Sequence, residues 1–182
     1  MTKAARGRPN IDLVLRAAQF AAHKHRDQRR KDADASPYIN HPIALASVLA
    51  DIGRITNPTV LAAALLHDTI EDTQTTAAEL KRSFGKVVAD IVLEVTDDKA
   101  LPKQRRKELQ VEHAAHISRH AKLVKLADKI CNLTDILASP PADWSLERKR
   151  EYFIWAKRVI DRMRGTNARL ERRFDQLYRK KP

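Results

Sequence analysis

Apolar positions recur along this chain at the three-to-four-residue spacing of an amphipathic helix, and no segment shows the strict alternation of a half-buried strand. Leu13, Val14, Ala17, Ala18, Ala21 and Ala22 mark a first helix from Ile11 to about Lys24. Pro42 suits the first position of a helix running on over 43–51, with Gly53 as its stop. Asn57 as cap and Pro58 as first helical residue open the next one, apolar without interruption from Val60 to Leu66 and continuing into the polar His67, Asp68, Glu71 and Asp72. Thr76 with Glu79 forms a capping box for a short helix that ends at Gly85. Further helices are expected over 87–95, 104 to about 116, 120–137, 146–163 and 167–178. The pattern predicts an all-α fold of about 8–10 helices. At 182 residues with no linker or repeat, the chain reads as a single domain over 1–182. Its core is expected over about 11–170, and 171–182 is expected to be a basic C-terminal helix and tail, with a solvated mixed-charge face from Arg169 to Lys181.

One connection breaks the helical pattern. From His25 to Asn40 the chain is polar and basic with no periodic apolar positions. A structureless connection of that length inside a compact domain marks either function or disorder.

Charge and cysteine content narrow the chemistry. Lys and Arg number 35 against 23 Asp and Glu, a net charge of +12, so a polyanion or a small substrate bearing several phosphates is the expected partner. Only 4 glycines and 5% aromatic residues argue against glycine-rich phosphate loops and base-stacking platforms. The seven-residue apolar run Val60–Leu66 falls far short of the about 20 residues a membrane-spanning helix needs. The polar, basic start with Lys3, Arg6 and Arg8 lacks a secretory signal pattern, and a cytoplasmic location is expected. Cys131 is the only cysteine, which excludes an internal disulfide and a cysteine-based zinc cluster. Any bound metal must be held by histidine and carboxylate.

Two constellations carry candidate chemistry. On a continuous helix His67 would stack with Glu71, and Asp68 with Asp72, in one contiguous patch. Three carboxylates and an imidazole at the end of a buried helix repel one another unless a positive centre sits among them, and acids have the wrong sign for a helix C-terminus. A divalent ion answers both objections. The second constellation is the polar face Lys125, Asp128, Lys129 and Asn132 of the helix over 120–137, opposite an apolar face of Leu123, Leu126, Ala127, Ile130 and Leu133. Alone, that face is an ordinary amphipathic pattern.

The order His41, His67-Asp68, Asp128 resembles that of HD-superfamily metal phosphohydrolases. The surrounding segments Tyr38-Ile39-Asn40-His41-Pro42, Leu65 to Thr73, Glu94 to Lys99, and Lys122 to Lys129 with Asn132-Leu133 resemble the hydrolase domain of the RelA/SpoT family, most closely its small stand-alone members of the metazoan SpoT-homologue type. The resemblance covers about Ala17 to Leu170 and leaves no room for the synthetase domain of the long members. It implies a single HD domain that hydrolyses the 3′-pyrophosphate of guanosine tetra- and pentaphosphate, giving GDP or GTP and pyrophosphate. The implied ion is Mn²⁺, with Zn²⁺ or Fe²⁺ compatible with the same ligand types.

On this resemblance His41, His67, Asp68 and Asp128 would hold the metal, and Glu71 and Asp72 would act in acid–base catalysis. Arg30 and Lys31 would flank the guanine, and Asn132 would help recognise it. Lys99, Lys103, Lys125 and Lys129 are candidates to neutralise phosphates, and Tyr38 to line the pocket. The remaining histidines, His23, His25, His113, His116 and His120, read as surface or packing residues. Two other functions remain open: an HD hydrolase of another nucleotide, NADP-like or deoxynucleotide, and, less favoured, a basic helical nucleic-acid-binding protein. Oligomeric state is not legible.

Overall fold

The computed structural model describes residues 11–182; the basic Lys3, Arg6 and Arg8 lie outside them. Among the described residues ten α-helices follow one another: α1 (Ile11–Lys24), α2 (Asn40–Ser47), α3 (Pro58–Leu66), α4 (Thr69–Asp72), α5 (Ala77–Phe84), α6 (Lys86–Val95), α7 (Lys103–His113), α8 (Arg119–Ala138), α9 (Leu146–Asp161) and α10 (Ala168–Tyr178). Among the described residues the only extended pairing is one antiparallel bridge, Arg29 with Pro37. The all-α expectation holds. No helix of the described residues is long and apolar enough to cross a membrane.

The helix starts follow local chemistry. The Asn57 side chain accepts the Thr59 N–H at 2.9 Å and the Thr76 hydroxyl accepts that of Glu79 at 3.2 Å, satisfying donors that the first turn leaves open. α5 stops at Gly85, whose φ of +85° is open to glycine. Gly53 plays a different part from a left-handed stop. The chain widens into a π-helical turn over Val48–Ile52 after α2, and a Cβ on Gly53 would stand 2.7 Å from the Leu49 carbonyl oxygen and 3.1 Å from the Leu170 side chain. Glycine is required there by close approach.

The core joins α1, α3, α6, α8, α9 and α10. α3 is apolar on every side because it is enclosed: Val60, Ala62, Ala63, Ala64, Leu65 and Leu66 are all buried. α1 packs along it through Ala17 and Ala21, and α8 packs against α2, α3, α6, α9 and α10. The amphipathic helix expected over 167–178 forms as α10, but the core runs past its expected limit at about 170: Leu170, Phe174 and Leu177 are buried against α8 and Tyr178 stacks on Phe174. Of its charged residues Arg172 is exposed, while Glu171, Arg173 and Asp175 are half-buried at the edges of that apolar face.

The connection from His25 to Ile39 is also more structured than its composition suggests. Arg30 N–H reaches Ser36 O at 2.8 Å, Tyr38 N–H reaches Gln28 O at 3.1 Å, and the Asp32 carboxylate accepts the Ser36 N–H at 2.9 Å. These bonds close the polar stretch into a compact loop without apolar periodicity, which is why the sequence pattern hid its order. The packing of α2, α3 and α8 brings together the N-terminal end of α2, the C-terminal end of α3 and the middle of α8.

Candidate active site

The helix expected to run from Pro58 through Asp72 is broken at His67-Asp68. Asp68 leaves helical geometry at φ −99° and ψ −1°, and the Thr69 hydroxyl donates to the Leu66 carbonyl at 2.7 Å, taking an acceptor that a continuing helix would use. α4 then restarts as a single turn, with Asp72 N–H on Asp68 O at 2.8 Å. His67 and Asp68 therefore stand at a corner instead of stacking with Glu71 and Asp72 on a straight helix.

At that corner His41 from α2, His67 and Asp128 from α8 present ligand atoms that lie within 4.8 Å of one another. His41 and His67 are buried, and their rings are 5.3 Å apart. His67 Nδ1 lies 2.8 Å from the Ala64 carbonyl, so it carries the proton and leaves Nε2 facing the cluster. That Nε2 is buried, with Asp68 Oδ2 2.9 Å away. His41 Nε2 lies 3.3 Å from Asp128 Oδ1. Nitrogen and oxygen atoms converging on one point are what an N/O-ligated divalent ion requires, and the residues present fit one.

The acids are held from behind. Tyr38 donates its hydroxyl to Asp68, Lys129 lies 2.9 Å from Asp128 Oδ2, and Asn132 Nδ2 donates to Asp128 Oδ1 at 2.7 Å. Burial alone would raise the Asp128 carboxyl, but Lys129 and His41 outweigh it and hold it well below the usual carboxylate range. For His67, burial opposes charging, but the Asp68 and Asp128 carboxylates prevail and push it up to about 9. Glu71 is pushed the other way for a carboxylate, up to about 7, chiefly by burial and against the Asp97 N–H that Oε2 accepts at 3.1 Å; Asp68, Asp97 and Asp72 add to the rise.

Two cavities meet here. One of about 210 Å³ contains His41, His67, Asp68, Glu71, Asp72, Lys125 and Asp128. A second of about 420 Å³ opens beside it and shares Tyr38, His41, Asp72 and Asn132. Arg30 and Lys31 line the second, so the polar loop does reach the site. Arg30 does not lie free: its Nη2 is 2.6 Å from Asp135 Oδ2.

The four lysines divide. Lys125 is buried and faces the smaller cavity, its ammonium lowered to about 8 by burial and by Lys129. Lys129 lines that cavity too but is committed to Asp128 and lies 4.4 Å over the Trp155 ring. Lys99 pairs with Asp72 at its Oδ1. Lys103 lines a neighbouring cavity of about 420 Å³ with Arg106, Lys107 and Arg148.

Several site residues escaped the sequence reading. Trp144 and Tyr152 wall the larger cavity from the far side, Arg106 lies 3.7 Å from Glu71 Oε1, and Gln28 donates to Asp72. None carries a local signal, since each reaches the site through helix packing or a loop turn.

A fold of packed helices with a buried His, His-Asp, Asp cluster between them is the architecture of an HD domain, and the HD domain family model matches residues 17–157. The chain belongs to the HD-domain family. Over nearly its whole length it is similar to the guanosine-3′,5′-bis(diphosphate) 3′-pyrophosphohydrolase MESH1 of Xenopus tropicalis, 55% identical over 91% of this chain and 93% of the relative. The Homo sapiens MESH1 is 54% identical over 92% of this chain and 94% of the relative. Among solved structures, a metazoan ortholog of SpoT described as hydrolysing ppGpp and playing a role in starvation responses superposes with a TM-score of 0.90 at 46% identity, over 99% of this chain and 98% of that one. The resemblance to small stand-alone RelA/SpoT relatives thus extends over the full domain.

Proposed function

We propose that this chain hydrolyses the 3′-pyrophosphate of guanosine tetra- and pentaphosphate to GDP or GTP and pyrophosphate, with Mn²⁺ as its ion. The observation that carries the reading is the convergence of His41, His67 and Asp128 in one cavity that adjoins a second, nucleotide-sized one and shares His41 with it, in a chain similar over about nine-tenths of its length to hydrolases named for this reaction. His41, His67 and Asp128, with Asp68 beside them, would hold the ion. When bound, such an ion supplies Lewis acidity, polarising a phosphoryl oxygen and making water a stronger acid. Zn²⁺ and Fe²⁺ suit the same donors.

The chain's own residues do the rest. Water must lose a proton as its oxygen joins the pyrophosphate, and the departing 3′-oxygen must gain one. Glu71 and Asp72 border the same cavity as the cluster, and a carboxyl shifted towards neutrality, as Glu71 is, can both give and take a proton at working pH. Tyr38, Lys129 and Asn132 keep the ligand carboxylates oriented through the bonds described above. In the larger cavity Arg30 offers a planar cation to a base, Lys31 a charge to phosphate, and Asn132, whose Nδ2 faces Asp128, leaves its Oδ1 to accept from a guanine edge. Lys125 contributes positive charge to the floor of the smaller cavity. Lys99 and Lys103 stand farther out along a phosphate chain.

Ion-exchange analysis of products after incubating the purified protein and Mn²⁺ with guanosine tetraphosphate tests the reading. GDP and pyrophosphate are expected, abolished by chelator and by Asp128→Ala. Intact substrate under all divalent ions would overturn it.

A further inference from the structure

We infer that His25 and Gln28 are positioning residues for Asp72, forming a directional hydrogen-bond chain from the end of α1 into the cavity; this rests on the acid–base role proposed for Asp72. His25 follows α1, bound through its N–H to Ala21 O at 2.9 Å, and is only 2% exposed. Its Nδ1 lies 2.6 Å from Gln28 Oε1, and Gln28 Nε2 lies 3.2 Å from Asp72 Oδ2.

The polarity of this chain is fixed by what each group can do. An ionised Asp72 only accepts, so the Gln28 amide must turn its NH₂ towards it. That leaves Oε1 facing His25, and Oε1 also only accepts, so His25 Nδ1 must carry a proton. The reversed amide would set a carbonyl oxygen against a carboxylate. Three features hold the chain rigid: Gln28 N–H bonds His25 O at 3.0 Å, Tyr38 N–H bonds Gln28 O at 3.1 Å, and the Tyr38 ring packs on the His25 imidazole with centroids 4.8 Å apart. His25 Nε2 is buried with no hydrogen bond, so burial of the ring gains nothing at that atom and its polar contribution passes through Nδ1 alone. Lys99 grips the other Asp72 oxygen from an exposed side chain. Gln28 is therefore the buried-side restraint that sets the carboxylate plane, and a misdirected carboxylate loses rate without losing substrate.

The test compares Gln28→Glu, which keeps shape and the His25 contact but removes the donor to Asp72, with His25→Ala and His25→Asn, the last placing an amide N–H where Nδ1–H stood. Steady-state kinetics on guanosine tetraphosphate with Mn²⁺, metal content and helicity by circular dichroism are measured for each, with Asp72→Asn as control. Expected are a kcat lowered about 10- to 100-fold in Gln28→Glu and His25→Ala at nearly unchanged KM and metal content, recovery of most of the loss in His25→Asn, and an Nδ1–H tautomer for His25 in ¹⁵N NMR of the parent. If Asp72→Asn keeps full turnover, the acid–base reading fails. If Asp72→Asn is inactive while Gln28→Glu keeps kcat, or if His25→Asn falls as far as His25→Ala, the positioning inference alone is overturned.

Discussion

Loading the metal-free protein with Mn²⁺ at a series of pH values probes the site through a proton that the ion must displace. In the metal-free site the Asp68 and Asp128 carboxylates prevail over burial and hold His67 protonated up to about pH 9, and only the neutral imidazole can be a ligand. At pH 7, two units below that value, about one His67 in a hundred is neutral. The apparent affinity is then about 100-fold weaker than above pH 9, a difference of about 3 kcal/mol. Below pH 9 each unit of acidification should cost a further tenfold. Calorimetric titration at pH 7 in two buffers of different ionisation enthalpy reads the same quantity directly, as about one proton released by His67 per ion bound. The sign for folding is opposite: a histidine whose folded value is raised from 6.5 stabilises the metal-free protein fully below pH 6.5, and that contribution is lost as pH rises through 9. A dissociation constant independent of pH from 6 to 9, with no proton released, would refute the assignment of His67 Nε2 to the ion.

Glu71→Gln and Asp72→Asn should retain metal while turnover falls by about 10² to 10⁴, as measured by steady-state kinetics beside metal analysis. Because Glu71 is raised from 4.5 to about 7, its ionisation costs the metal-free fold stability as pH rises through that window; Glu71→Gln should raise the Tm of the metal-free protein at pH 8, by at most about 3 kcal/mol of stability, and leave it unchanged at pH 4. Arg30→Ala and Asn132→Ala should raise KM for guanosine tetraphosphate more than they lower kcat; an equal loss on adenine analogues would show that they hold phosphate or fold. Phe174→Ala should destabilise by about 3–5 kcal/mol in urea unfolding, whereas neutralising Arg172, Arg173, Arg179, Lys180 and Lys181 together should leave Mn²⁺-dependent pyrophosphate release intact.

What sequence alone determined lies within reach of a single helical turn or of adjacent positions. The caps Asn57 and Thr76 bond N–H groups two or three residues ahead, and the apolar period of α1 follows from which residues share a face. The segments around His41, His67-Asp68 and Asp128 were legible as a set because they resemble a family, and the structure does bring the two histidines and Asp128 to one point. Tertiary structure decided what depends on contacts between distant segments. The break at Asp68 turns on a hydroxyl–carbonyl bond inside a corner that an apolar run followed by acids does not announce. Phe174 and Leu177 are core because α10 lies on α8, although their neighbours in sequence are mostly charged. Arg30 meets Asp135 across 105 residues and Gln28 meets Asp72 across 44. No periodicity encodes such pairs, since they exist only once the helices have packed and the polar loop has closed over their ends.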